Sequence, residues 1–299
     1  MDRTRMHPDE ILTDVGLVRA LVDGQFPRWR DRPLTFVLSY GTDHDVYRLG
    51  DDLSVRLPRT AGVTAQAELE ATWLPRLAPC LPLALPVRVA AGEPAEGYPF
   101  PWSVDEWLPG DDLNHRPIAD RDQAAVDLAA FVLALRGIDI TGAFPRERGR
   151  RGSPLVELDR SVRHAVGRLG DRVDGAAALW SWEESLSAPA HVGPGTWLHG
   201  DLLQGNLMVL DGRLSGVIDW GGLNVGDPAC DLQPGWNLFD GPSRARFRAE
   251  LEVDDGAWLR GRGWVLAQTV IAMPYYWHTN PGIIAQTRHG LAEVLADSG

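Results

Sequence analysis

Between His199 and Trp220 the chain reads HGDLLQGNLMVLDGRLSGVIDW, and Asp201, Asn206 and Asp219 place oxygen-bearing side chains at its start, middle and end. Leu207 to Leu210 and Arg213 to Ile218 flank Asp211-Gly212, the dipeptide that most strongly signals a two-residue hairpin loop. With Leu210 opposite Arg213, Asn206 faces Val217, and Asp219, two residues further on, shares its face. The two side chains are then diagonal neighbours, roughly 7–8 Å apart at Cβ. Oxygen donors so placed suit magnesium, which takes a few protein ligands and fills its shell from phosphate and water. Asp201 lies in the loop entering the hairpin, where its carboxylate stays free to accept a proton from a hydroxyl attacking a phosphate. An ordinary hairpin with polar exits is the competing reading.

His199-Gly200-Asp201, then Asn206, then Ile218-Asp219-Trp220 resembles the catalytic segment of the aminoglycoside phosphotransferase family. GTDHDVYRLGDDLSVRLPR (Gly41 to Arg59) is similar to the nucleotide-covering hairpins of its actinobacterial-type members, and GVIDWGGLNVGDPACDL (Gly216 to Leu232) to their metal loop. That resemblance implies an α+β, bilobal protein-kinase-like fold. A small antiparallel-sheet lobe with one main helix (residues 1–105) would precede a larger, mostly helical lobe (residues 106–299). It implies a phosphotransferase that moves the γ-phosphate of ATP or GTP, with Mg2+, to a hydroxyl of an aminoglycoside or related antibiotic. A macrolide or small-metabolite kinase on the same fold is an alternative. So are a non-catalytic, pseudokinase-like nucleotide binder and a metal-dependent hydrolase.

Position by position, the resemblance makes Asp201 the catalytic base and Asn206 and Asp219 the magnesium ligands. His199 joins the catalytic group as a brace of the loop in preference to a proton carrier. Asp231 would hold that loop, with an acceptor contact left open. Arg56 stands where kinases carry a phosphate-binding Lys, with Glu70 as its helix partner and Glu68 as the second choice. Ser39, Gly41 and Thr42 would form the loop over the phosphates, and main-chain atoms of Glu106 and Leu108 would hold the nucleobase. Leu203 departs from the family, many of whose members have His there. The acceptor is expected near Asp231, Trp236 and Tyr276, the last within the cluster Tyr275-Tyr276-Trp277.

These groups need elements to carry them. Leu34 to Leu38 reads as a strand, and YRLGDDLSVRL alternates apolar residues about Gly50-Asp51-Asp52, as a half-buried hairpin does. Thr64 is placed to cap a helix with a stripe through Ala65, Leu69 and Trp73, limited by Pro75. Trp102 to Leu108 reads as a strand closed by Pro109-Gly110, and Asp122 to Leu135 as an amphipathic helix. AFPRERGRRGSP (Ala143 to Pro154) is a loop whose four arginines form a solvated turn or, alternatively, face phosphate. Helical patterns dominate after Leu232.

Lysines and arginines number 29 against 41 acids, a net charge of −12, which disfavours nucleic acid as a partner and is compatible with a cationic small molecule. Cys80 and Cys230 give no disulfide framework. With no signal peptide and no apolar run near the roughly 18 residues of a membrane span, a cytoplasmic location away from membranes is expected.

Overall fold

The computed structural model describes residues 5, 7, 9–38, 41–143 and 149–297. Helix α1 (Val15–Gln25) comes first, its amino end capped by Asp14, which accepts from the Leu17 N–H at 2.8 Å. Val18, Leu21 and Val22 face inward at helical spacing. A five-stranded antiparallel sheet follows: β1 (Leu34–Phe36), β2 (His44–Leu49), β3 (Leu53–Pro58), then α2 (Thr64–Leu77), β4 (Arg88–Gly92) and β5 (Trp102–Glu106), in the order β1-β2-β3-β5-β4. The alternation that marks β2 and β3 in the sequence is a burial pattern: Tyr47, Leu49, Leu53, Val55 and Leu57 all lie in one core with the inner face of α1. The expectation of one main helix therefore omits α1.

The rest of the chain is built from β6 (Asp111–Asp112), α3 (Arg121–Arg136), α4 (Asp159–Leu169), α5 (Gly175–Ser187), β7 (Thr196–Leu198), β8 (Leu207–Leu210), β9 (Arg213–Val217) and β10 (Asn224–Gly226). Helices α6 (Pro234–Asn237), α7 (Gly241–Glu250), α8 (Asp255–Tyr276) and α9 (Pro281–Asp297) complete it. Strands β6, β8 and β9 form one small sheet, and β7 and β10 another.

The two cores do not divide at one point in the chain. Trp73, Leu74 and Leu77 of α2 belong to the larger, helical core, with Trp73 4.6 Å from Trp197 between ring centroids. This contact rotates the helix away from the expected stripe: Ala65 is exposed, Leu69 half-buried, and Glu70 buried in their place. Thr64 is the first helical residue and bonds back to the Ala61 carbonyl; the helix continues two residues past the exposed Pro75.

The hairpin of β8 and β9 also departs from its expected register. Leu210 faces Arg213 and Val209 faces Leu214, but a bulge then pairs Met208 with Gly216 and Leu207 with Val217. Asn206 consequently meets Ile218, not Val217, through the Ile218 N–H at 2.9 Å. The cause lies in a segment distant in sequence. Ala84 inserts beside β9, donating to the Ser215 carbonyl at 3.0 Å and accepting from the Val217 N–H at 2.9 Å. Gly216 permits the approach, since a Cβ there would stand 3.0 Å from the Ala84 carbonyl oxygen and 2.7 Å from Leu108 Cδ1.

Candidate active site

Strand β7, paired with β10, delivers the chain to His199. The next turn needs glycine: Gly200 has φ +80°, and a Cβ there would lie 2.6 Å from the Gly222 carbonyl oxygen. Asp231 fixes this turn by accepting the His199 and Gly200 N–H groups, each at 2.7 Å. His199 is fully buried, and its Nδ1 accepts from the Asp201 N–H at 3.2 Å. Nε2 therefore carries the proton and donates to the Ile218 carbonyl at 3.1 Å. Burial lowers the imidazole pKa, though Asp231 and Asp219 oppose the shift. The ring is fully buried and bonded to the main chain through both nitrogens, the geometry of a loop brace and not of a proton carrier.

Asp201 faces a cavity of about 480 Å³. The Asn206 Nδ2 donates to the Asp201 carbonyl at 2.8 Å and to its Oδ2 at 3.1 Å. With its nitrogen so engaged, the Asn206 amide has Oδ1 left as a donor atom for a cation. Asp219 enters the cavity from a left-handed backbone position, φ 59° and ψ 74°, which Asp tolerates better than most residues. The carboxylates of Asp219 and Asp43 converge above Gly221: a Cβ on that glycine would be 3.3 Å from Asp219 Oδ1 and 3.5 Å from Asp43 Oδ2. Burial first, and then the Asp219 charge, push the Asp43 carboxyl up. Burial likewise raises Asp201, with Arg151 opposing and Asp219 adding to the shift.

Two carboxylates and an amide oxygen are hard donors that fit magnesium, and a cation there would relieve this crowding of negative charge. Among the described residues no cluster of three or more His, Cys, Asp or Glu could hold a metal alone. A divalent ion would draw its remaining ligands from phosphate and water.

Across the cavity, β3 presents Arg56, whose Nη1 lies 2.8 Å from Glu70 Oε2 and 3.4 Å from Asp105 Oδ2. Burial works against its charge, but Glu70 and Asp105 outweigh that and hold the guanidinium protonated. Glu70 is the helix partner, while Glu68 faces solvent. Gly41, Thr42, Glu106, Leu108 and Leu203 line the same cavity, so it joins the strand β5 exit to the loop that carries Asp201. Ser39 lies outside the described residues.

The expected acceptor contacts fare unevenly. Asp231 is 1% exposed, with its oxygens engaged by the loop, so it has no surface to offer an acceptor. Trp236 is also core: it packs 4.4 Å from Trp258 and donates to Asp297 Oδ2 at 3.0 Å. Trp236 is corrected to a core position; Asp231 holds the loop through two hydrogen bonds, and only the acceptor contact left open for it is withdrawn. Tyr276 remains half-buried, near Thr42, which lines the cavity.

A model of the phosphotransferase enzyme family matches residues 37–264. The chain belongs to this family. The GDP and kanamycin complex of an APH(2")-III aminoglycoside phosphotransferase superposes with a TM-score of 0.74 at 17% identity, covering 94% of this chain and 97% of the other. The apoenzyme of the macrolide 2'-phosphotransferase MphH from Brachybacterium faecium gives 0.61 at 22% identity, over 94% and 97% of the two chains. An uncharacterized protein, YcbJ of Bacillus subtilis strain 168, is 23% identical over 90% of this chain and 88% of its own length. These likenesses establish the bilobal kinase-like fold. No helix among the described residues is long and apolar enough to cross a membrane.

Relative to this family frame, sequence reasoning missed Asp43, Asp105 and Arg151. Asp43 stands within the quoted phosphate-loop stretch, but nothing in its spacing marks it as a cavity carboxylate. Asp105 sits in β5 beside the exposed Glu106 and is 3% exposed; nothing in the sequence separates the buried acid of that pair from the exposed one. Arg151 comes from the arginine-rich loop, and its Nη2 reaches Asp201 Oδ1 at 3.2 Å. The run of arginines was visible, but not which of the four turns inward.

Proposed function

We propose that this chain transfers the γ-phosphate of ATP or GTP to a hydroxyl of a small molecule. The observation that carries the reading is one cavity lined by Arg56, Asn206, Asp219 and Asp201. Arg56 binds the α- and β-phosphates, held charged by Glu70 and Asp105. Gly41 and Thr42 cover the phosphates, and main-chain atoms at Glu106 and Leu108 hold the base. Asn206 and Asp219 would hold Mg2+, which when bound offsets charge on the phosphates as the transferred group moves.

Asp201 orients the acceptor hydroxyl and takes its proton while the acceptor oxygen bonds to the γ-phosphorus. The bond from that phosphorus to the bridging oxygen breaks, and the nucleoside diphosphate leaves with the electron pair. The acceptor proposed is an aminoglycoside or related amino-sugar antibiotic. Carboxylates crowd the cavity, and aminoglycoside phosphotransferases have been solved with kanamycin and gentamicin. A macrolide is the second reading, supported by the likeness to macrolide 2'-phosphotransferases.

The test is transfer of radiolabelled γ-phosphate from ATP and GTP to kanamycin, gentamicin, macrolides and small hydroxyl metabolites. A labelled acceptor is expected, with Asp201→Ala lowering turnover by about 10²–10⁴. Full turnover in that variant would overturn the mechanism. Phosphate release to water with no acceptor would favour a hydrolase, and binding without transfer a non-catalytic nucleotide protein.

A further inference from the structure

Asp201 is gripped from both sides. Asn206 Nδ2 holds Oδ2 at 3.1 Å, and Arg151 Nη2 holds Oδ1 at 3.2 Å. Arg151 reaches this place through a built contact. A Cβ on Gly200 would come within 2.9 Å of the Arg151 Cβ and 2.8 Å of its Cγ, so the arginine stem lies against the bare backbone of the catalytic turn. Its main chain is anchored as well. Asn224 Nδ2 donates to the Arg151 carbonyl at 3.0 Å, and the Asp227 N–H to the Gly152 carbonyl at 2.8 Å.

The pair is partly open to water, with side-chain exposures of 34% and 26%. Such a pair contributes little to stability. Two opposed donors do, however, fix the plane of the carboxylate. We propose that Arg151 is a positioning residue for phosphoryl transfer: it clamps Asp201, together with Asn206, in the orientation that meets the acceptor hydroxyl. This inference rests on the reading of Asp201 as the base.

The test is a double-mutant cycle in the transfer assay, using the acceptor that the screen labels. Arg151→Ala should lower kcat about 10- to 100-fold, the scale on which misaligned reacting groups act. The nucleotide KM should stay within about twofold, and Tm within about 2 °C. Arg151→Lys, which keeps a donor, should recover most of the loss. In an Asp201→Ala background, Arg151→Ala should cost nothing further. Equal losses in both backgrounds would overturn the proposal, as would a raised KM with unchanged kcat, which would make Arg151 a binding contact. Undiminished turnover in Asp201→Ala alone would instead sink the base assignment, a separable result.

A second arm needs no acceptor and uses Arg151→Gln, which spares the fold if the alanine variant does not. Crystals of that variant and of the unaltered protein, with magnesium and a non-hydrolysable ATP analogue, should show the Asp201 carboxylate rotated only in the variant. An unchanged carboxylate overturns the proposal.

Discussion

The cavity holds two opposite kinds of charge support. On the sheet side, Arg56 is 14% exposed and its partners Glu70 and Asp105 are 3% and 5% exposed at the side chain, a cation set into a wall of buried acids. On the loop side, Asp201 and Arg151 stand about a quarter to a third in solvent. In the proposed reaction, a phosphate-binding cation has one task at one place, and burial serves it. A base that must meet a hydroxyl and release a proton needs access, so its supports are donors at its edges. Damage to the first should therefore appear in folding and nucleotide affinity, and damage to the second in turnover.

The largest effect should come from Asp201→Ala, with turnover down about 10²–10⁴ while nucleotide affinity stays near its original value. Glu70→Ala should do the reverse. It leaves Arg56 with a more distant acid in a buried site, and losing one partner of a buried pair costs about 3 kcal/mol at the low end of its range. Chemical denaturation should show that loss, and titration with ATP and GTP a raised Kd. Equal stability of the two variants would erase the distinction.

A smaller effect sharpens the same comparison behind the loop. Asp231→Asn replaces one of two accepting oxygens with an amide nitrogen that meets a backbone N–H, at a cost of about 1–3 kcal/mol for the lost and conflicting bonds. Turnover should fall with stability, because Asp231 holds the turn that presents Asp201. A stable variant with normal turnover would show that His199 and Gln233, which bonds the Gly200 carbonyl at 3.0 Å, suffice to hold it.

Legibility in the sequence followed the same division. Spacing within one short segment marked Asp201, Asn206 and Asp219, and the structure brings them into one cavity. Period-two burial in β2 and β3 was equally local. The bulge was not, because it depends on Ala84, more than a hundred residues from Gly216. Arg151 meets Asp201 across fifty positions through a glycine contact, and charges leave no periodic trace. The aromatic and acidic residues placed at the acceptor misled for a physical reason. Trp236 and Asp231 are as apt for a core and a loop brace as for a ligand wall, and composition does not separate those uses. Helix α1, shorter than α2, also carried local signals, the Asp14 cap and the Val18-Leu21-Val22 spacing.

The smallest predicted effect is on pH dependence, and it also draws on both sides of the cavity. His199 is kept neutral chiefly by burial. His44, wedged beside Arg56, Arg59 and Arg88, is depressed well below the ordinary imidazole range by burial and then by those cations. In the unfolded chain both rings take up protons below about pH 6.5. The folded protein does not bind them until lower pH, so the unfolded state holds more protons in that window. Stability contributed by these rings is complete above pH 6.5 and declines as pH falls from there toward their folded values, by no more than about 1.4 kcal/mol per pH unit for each ring. Thermal melts between pH 7.5 and 5.5 should show the contribution of these rings to Tm decreasing with acidification, against the opposite contribution of the Asp43, Asp201, Glu70 and Asp231 carboxyls, which burial raises. His44→Asn, which removes the sheet-side ring, should flatten that decline without abolishing it, leaving the portion due to His199. An unaltered slope would mean that His44 titrates in the folded protein as it does in the unfolded chain, and that the cations around Arg56 do not govern it.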